Sequence, residues 1–141
     1  MRIKIDKADQ VFSQYIRLRD KKCVRCGSTV ELNEKGLPIS HQNSHYFGRG
    51  KESTRFSPEN CDTLCMACHI RWGGTEREKY RDFKVKQLGE ERFKKLMVQS
   101  ENFMRKDRKM ALIVARQLLR SLFRKRTAKE FLQNLKAFDR G

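Results

Sequence analysis

The sequence is short of the residues that interrupt or terminate regular structure, because it has only two prolines among 141 residues and none after residue 58. From Thr75 onward the chain is Gly-poor and Pro-free, which favours long helices. No run approaches the ~18 consecutive apolar residues of a membrane-spanning helix. The N-terminus, MRIKIDKADQ, lacks the apolar core of a signal peptide. We therefore expect a cytoplasmic protein.

Acidic residues are also scarce, with 17 Asp and Glu against 33 Lys and Arg, a formal net charge of +16. This balance lies outside the usual range of enzymes that act on neutral metabolites, and it favours a polyanionic partner such as nucleic acid. The charge is uneven, since residues 1–75 carry a net +5 and residues 76–141 a net +11. The second half is therefore the expected electrostatic contact region.

Four of the five cysteines form two Cys-x-x-Cys pairs, Cys23 with Cys26 and Cys65 with Cys68. In a reducing cytoplasm this spacing is typical of a zinc site rather than of disulfides. Four thiolates fill the tetrahedral coordination of Zn²⁺ and leave no open position, so the predicted zinc is structural. Cys61 has no partner at this spacing and is expected to be a buried apolar residue.

The patterns predict an α+β fold with two regions: residues 1–75, an N-terminal helix followed by a zinc-stabilised module, and residues 76–141, a basic helical region. Asp6 is the expected N-cap of the first helix. Thr75 is the expected N-cap of a second helix that ends at Gly89. A third is expected to carry Phe93 and Phe103 on one apolar face. Three or four helices are expected after Thr75, the last being TAKEFLQNLKAF.

The segment SHYFGRGKESTRFSPENCDTLCMACH places His45, Asn60 and His69 around the second cysteine pair. This order resembles the HNH or ββα-metal nucleases. Residues 6–97 more broadly resemble phage recombination proteins of the lambda NinG (Rap) type, and the cysteine layout is similar to that of recombination endonuclease VII-type Holliday junction resolvases. The resemblance implies a ββα-metal (HNH-like) module and a structure-specific DNA endonuclease that cuts branched recombination intermediates.

The resemblance also implies roles for individual residues. His45 would be the general base, Asn60 would bind the catalytic ion or hold its loop, and His69 would be an ion ligand or a structural residue. The ion would be Mg²⁺ or Mn²⁺. Many of these nucleases have a metal-binding Asp or His where this chain has Ser44. The ion is then held by Asn60, His69 and phosphate oxygens, or the site is weak or inactive; His41 and Asp62 are further ligands to consider.

Two groups of basic residues are candidates for DNA contact, and ordinary surface charge is the alternative for each. One lies around a Gly-rich turn and consists of Arg49, Lys51 and Arg55. The other lies on the C-terminal helices and consists of Arg105, Lys106, Arg124, Lys125 and Arg126. Because junction resolution needs two symmetric cuts, we expect a homodimer. The apolar stripe 110–123 is either its interface or part of the intramolecular core.

Two further functions remain open from the sequence. The runner-up is a non-catalytic zinc module that binds branched or single-stranded nucleic acid in recombination, which the serine at position 44 favours. The third is an RNA-binding zinc protein.

Overall fold

The computed structural model describes residues 3–139. Its regular elements are α1 (Lys7–Asp20), β1 (Gln42–His45), α2 (Glu52–Arg55), a 3-10 turn (Pro58–Asn60), β2 (Cys61–Leu64), α3 (Met66–Gly73), α4 (Arg77–Leu88), α5 (Glu90–Glu101) and α6 (Arg108–Asp139). Helices thus combine with one small two-stranded sheet, which confirms the predicted mixed architecture. Assignment to the ββα-metal fold stays a prediction.

Helix α1 begins at the predicted N-cap. The Asp6 carboxylate accepts a hydrogen bond from the Asp9 backbone N–H at 3.1 Å, and the Asp9 carboxylate accepts one from the Asp6 N–H at 2.9 Å. This reciprocal capping satisfies two of the free N–H groups at the start of the helix. The helix ends at Lys21, which adopts the left-handed conformation with φ 64°.

Strand β1 runs antiparallel to β2, with His45 opposite Cys61. Because side chains alternate across a strand, the sheet has two different faces. One face packs on α1, where Cys61 contacts Phe12 and Ile16. The other face contributes Tyr46 and Leu64 to an aromatic cluster with α3, α4 and α5. The sheet is therefore covered on both faces, on one by the core that it shares with α1 and on the other by the aromatic cluster.

Helices α4 and α5 differ from the prediction at their ends. Helix α4 starts at Arg77 and its N-cap is Glu76 without a side-chain hydrogen bond, so the predicted cap at Thr75 is wrong. It ends before Gly89, as predicted, where the backbone has φ 84°. Phe103 lies beyond the end of α5 and is 94% exposed, so its placement on an apolar face with Phe93 is also wrong.

Helix α6 is a single helix of 32 residues rather than two. The predicted last helix, TAKEFLQNLKAF, is therefore the C-terminal part of α6. No glycine or proline lies between residues 108 and 139, so nothing in the backbone ends the helix before this segment. Ala111 and Ala115 are buried, and Ala115 packs in the cluster with α1. Part of the stripe 110–123 therefore serves the intramolecular core, while the homodimer stays a prediction. Within residues 3–139, no helix combines the length and apolarity that crossing a membrane requires.

Candidate functional site

The four predicted zinc ligands converge, although they come from segments about 40 residues apart. The Sγ atoms of Cys23, Cys26, Cys65 and Cys68 all lie within 4.8 Å of one another. The Sγ atoms of Cys26 and Cys65 are 3.8 Å apart, which is the separation of about 3.8 Å that two thiolates have on a tetrahedral Zn²⁺ with Zn–S bonds of about 2.3 Å. The donor set therefore fits a structural metal such as zinc.

Local backbone structure aims these sulfurs at one point. The first pair forms a tight turn in which the Gly27 N–H donates to the Cys23 carbonyl at 2.9 Å and the Cys26 N–H points at the Cys23 Sγ at 3.4 Å. Gly27 has φ 81°, a conformation that favours glycine. Cys65 is the N-cap residue of α3, so Cys68 lies one helical turn away on the same side.

Arg25, which the sequence patterns gave no reason to select, supports this cluster from outside. Its guanidinium donates to the Cys68 Sγ at 3.3 Å and to the Glu76 carboxylate at 3.1 Å. Burial raises the pKa of Cys68 to about 12, and the hydrogen bond from Arg25 opposes that rise. A guanidinium donor on the sulfur stabilises the thiolate form that metal binding requires.

Cys61 lies outside the cluster, as predicted. It is fully buried in the core formed by α1, the sheet and α6, and desolvation raises its pKa strongly. A thiol in this environment is inert and packs as a small apolar residue.

His45, at the end of β1, is held in one orientation. Its Nε2 lies 2.9 Å from the Arg55 carbonyl oxygen. Because a carbonyl only accepts, Nε2 carries the proton and Nδ1 keeps its lone pair. Nδ1 has no hydrogen-bond partner among the described residues and is not completely buried. Burial and the charge of Arg49 lower the pKa of His45 to about 4, which leaves the imidazole neutral at pH 7.

Asn60 holds the loop that follows His45. Its Oδ1 accepts from the Phe47 N–H at 2.8 Å, and its Nδ2 donates to the carbonyls of Phe47 at 2.9 Å and Thr54 at 3.1 Å. The residue is completely buried. The resemblance implies that Asn60 either binds the catalytic ion or holds the loop. These bonds fit the second role, and ion binding by Asn60 stays a prediction.

Replacing Asn60 by alanine is expected to destabilise the fold by about 2–4 kcal/mol, because the N–H and the carbonyl of Phe47 lose their partner and the Thr54 carbonyl keeps only backbone donors such as the Ser57 N–H. Chemical denaturation followed by circular dichroism measures the change. Asn33 is the matched control, since its Oδ1 accepts from two backbone N–H groups in an exposed turn. Asn33→Ala is expected to cost less than about 1 kcal/mol. Equal losses in both variants would contradict the loop-holding role.

His69 lies in α3, just after the second cysteine pair, and is half-buried. Its Nδ1 is buried without a partner among the described residues, and burial together with the charge of Arg49 lowers its pKa. Arg49 therefore acts electrostatically on both histidines. Its Nε is itself buried and unpaired, 4.0 Å from the nearest Asp9 carboxylate oxygen.

Ser44 and Asp62 lie on the face of the sheet opposite His45. The Tyr80 hydroxyl contacts the Ser44 Oγ at 3.3 Å and donates to the Asp62 carboxylate at 3.0 Å, and Lys84 forms a buried ion pair with Asp62 at 3.0 Å. This polar network fixes α4 to the sheet. Because neighbouring residues of a strand point to opposite faces, neither side chain contributes a ligand beside His45.

His41 is held by its own local contacts. Its ring nitrogens lie 2.8 Å from the Ser40 Oγ and 2.9 Å from the Ser28 Oγ. Its backbone is in the left-handed region, with φ 68°. The histidine thus ties the first cysteine turn to the residues that precede β1.

Arg55 is a correction to the predicted DNA contacts. It is 2% exposed, and its guanidinium binds both Asp9 carboxylate oxygens, at 2.9 and 2.5 Å, as well as Glu52 at 3.3 Å. A guanidinium occupied in this way presents no charge to a phosphate. Its function is structural, because it anchors α2 to α1 and places the carbonyl that orients His45. The sequence does not reveal this role, because Asp9 lies 46 positions before Arg55 in the chain.

The remaining predicted DNA-binding residues are at the surface to different degrees. Lys51 is half-buried and pairs with Glu101 at 2.9 Å. Exposed positions are occupied by Arg105, Lys106, Arg124 and Lys125. Arg126 is half-buried and donates to the Leu18 carbonyl at 3.3 Å, near the C-terminus of α1. DNA contact by these residues stays a prediction.

A second preformed metal cluster is not found within residues 3–139. The four cysteines are the one group there in which three or more His, Cys, Asp or Glu ligand atoms lie close together.

Comparison with known proteins adds one match. The model of the family described as Bacteriophage Lambda NinG protein matches residues 2–127. No curated protein and no solved structure matches the chain.

Proposed function

The chain belongs to the bacteriophage lambda NinG family of recombination proteins, and we propose that it is a metal-dependent endonuclease that cuts branched DNA such as Holliday junctions. Family membership supports a role in phage recombination, and the net charge of +16 supports nucleic acid as the partner. Phosphodiester cleavage rests on the site around His45.

The observation that carries the proposal is the state of His45. Its Nε2–H is fixed on the Arg55 carbonyl, while Nδ1 is unprotonated and not completely buried. A general base needs this combination of a fixed ring and a free lone pair. Nδ1 takes a proton from water, the water oxygen bonds to phosphorus, and the bond from phosphorus to the 3′ oxygen breaks. The electron pair of that bond leaves with the 3′ oxygen.

In this proposal Arg49 would offset the negative charge of the phosphate. Its charge lies near enough to lower the pKa values of both His45 and His69, and its Nε has no acceptor among the described residues. In this proposal His69 would be a ligand of a divalent ion brought by the DNA. Such an ion, Mg²⁺ or Mn²⁺, would stabilise the departing 3′ oxygen when bound.

The four-cysteine site supports this chemistry from a distance. It fixes α3, which carries His69, to the turn at Cys23. The exposed basic side chains of α6 would hold the DNA arms through their phosphates. A homodimer would supply the two active sites that symmetric junction cutting requires.

A non-catalytic DNA-binding role is the second candidate. Two observations favour it: Ser44 is turned away from His45, and no second cluster of metal-ligating side chains occurs in the described part of the chain. A protein of this kind would bind branched DNA through its basic surface and leave it intact.

One assay separates the two functions. Purified protein is incubated with an end-labelled four-way junction, a flap and a linear duplex, each with Mg²⁺, with Mn²⁺ or with EDTA. We expect the junction to be cut with either metal, the linear duplex to be cut at least tenfold more slowly, and no cutting in EDTA. Junction binding without cleavage under every condition would leave the non-catalytic role.

A further inference from the structure

A polar cleft lies between the first turns of α1 and the strand β1, and Arg49 forms part of its wall. It has a volume of about 390 Å³. The residues that line it include Asp9, Arg17, His41 and Arg49. The amide side chains on its wall are those of Gln10, Gln14 and Asn43, and nothing in the proposed hydrolysis uses them.

Two groups on the cleft wall are buried without partners. Asn43 is only 9% exposed, and its amide has no hydrogen-bond partner among the described residues, with Oδ1 fully buried. The Arg49 Nε is also buried without an acceptor. Most buried polar groups in folded proteins are satisfied, so an unpaired acceptor and an unpaired donor in one cleft point to a bound ligand.

The chemistry of these groups narrows the ligand. A phosphate offers only acceptors and would leave the Asn43 Oδ1 unpaired. A metal ion would satisfy Oδ1 but would be repelled by Arg49. The edge of a nucleobase offers donors and acceptors side by side, and Asn and Gln amides pair with adenine through its N6 amino group and N7. A wall that presents amides between the Asp9 carboxylate and the Arg49 guanidinium therefore matches a base better than a backbone group.

The geometry of β1 relates this cleft to the cutting site. Asn43 and His45 are two residues apart on the same face of the strand, a spacing of about 7 Å. A stacked base in a duplex cannot enter a pocket of this kind, whereas an unpaired base at a branch point can. Arg17 adds a flat wall, because its guanidinium is held by the carbonyls of Ser13 at 3.2 Å and Ser40 at 3.1 Å.

We propose that this cleft binds one unpaired nucleobase, with adenine preferred, next to the phosphate at His45. The proposal rests on the proposed function for its orientation along the DNA, but base binding itself does not require cleavage. It gives the protein a direct way to recognise DNA that has an unpaired base, such as a bulge or a branch point at which a base pair has opened.

Fluorescence anisotropy tests base binding by the cleft, and EDTA in the buffer prevents the metal-dependent cleavage. The probes are labelled duplexes with one bulged adenine, with an abasic residue in the bulge, and without a bulge. We expect the native protein to bind the adenine bulge about tenfold more tightly than the abasic bulge. Asn43→Ala and the exposed Gln10→Ala should each reduce that preference at least threefold, while Gln117→Ala, an exposed amide on α6, should preserve it. Zinc content and thermal unfolding check that each variant is folded.

The outcomes separate this proposal from the proposed function. A preference for the adenine bulge that depends on Asn43 and Gln10 supports the cleft, even if the protein cuts no DNA. Equal binding of adenine and abasic bulges by the native protein overturns it, even if junctions are cut. If only Asn43→Ala reduces the preference for the adenine bulge, and only when Mg²⁺ is added, Asn43 binds an ion. That outcome also overturns the base-binding proposal.

Discussion

Replacing Cys65 by serine is expected to remove the metal and to unfold the module between Cys23 and Gly74. Zinc content should fall from about one ion per chain to less than about 0.1, because a hydroxyl is a poor substitute for one of four thiolates. Binding of a structural zinc to a small domain supplies about 10–16 kcal/mol in peptide systems, so the module has little stability without it. Metal analysis and thermal unfolding followed by circular dichroism measure both effects.

Cys61→Ala is the matched control for this experiment. Cys61 follows Asn60 in the chain and is as buried as any ligand, but it lies outside the four-sulfur cluster. The variant should keep one zinc per chain and lose about 1–3 kcal/mol of stability to the cavity it creates. Full zinc in Cys65→Ser, or loss of zinc in Cys61→Ala, would show that the ligand set is wrong.

Replacing His45 is expected to abolish DNA cleavage while the protein stays folded. The expected loss is about 10²- to 10⁴-fold in the single-turnover rate on a labelled four-way junction, the range that a general base contributes. His45→Gln is the sharper variant, because its amide can still donate to the Arg55 carbonyl but has no basic nitrogen. Zinc content and junction affinity should be unchanged in both His45→Ala and His45→Gln. A His45→Gln protein that cuts within tenfold of the native rate is incompatible with the general-base role.

The pH dependence gives an independent test of the same residue. Since the pKa of His45 is lowered to about 4 in the folded protein, the base is already unprotonated at pH 5.5. The cleavage rate should rise through about pH 4 and be level above about pH 5, whereas an ordinary histidine would still be titrating near pH 6.5. The unfolded chain binds this proton first as the pH falls. The stability contributed by His45 is therefore present above about pH 6.5 and is lost as the pH falls toward 4.

Local patterns predicted much of the fold because their physics is local. Asp6 caps α1 and Gly89 ends α4, since capping depends on residues a few positions apart. The same reasoning failed at Thr75, where no side-chain cap forms, and at Phe103, which lies past the end of its helix. Periodicity alone does not say where a helix stops.

The candidate site was predicted in part. The spacing in the sequence predicted the four cysteines, which do converge, while the catalytic role of His45 came from the family resemblance and stays a prediction. The sequence did not reveal that Arg55 is buried against Asp9, or that Ser44 points to Tyr80 rather than toward the site. Both facts depend on which elements cover the two faces of a two-stranded sheet, and that packing joins residues 36–46 positions apart.

The sequence by itself determined the basic charge, the two Cys-x-x-Cys pairs and the order of His45, Asn60 and His69, because composition and spacing are properties of the chain. Only the tertiary structure decided how these groups are used. It brought four sulfurs within 4.8 Å, fixed the tautomer of His45 on a distant carbonyl, and left Asn43 and Arg49 without partners in one cleft. The reason is physical: burial, hydrogen bonding and the lowered pKa of His45 arise from neighbours in space, and those neighbours are distant in the sequence.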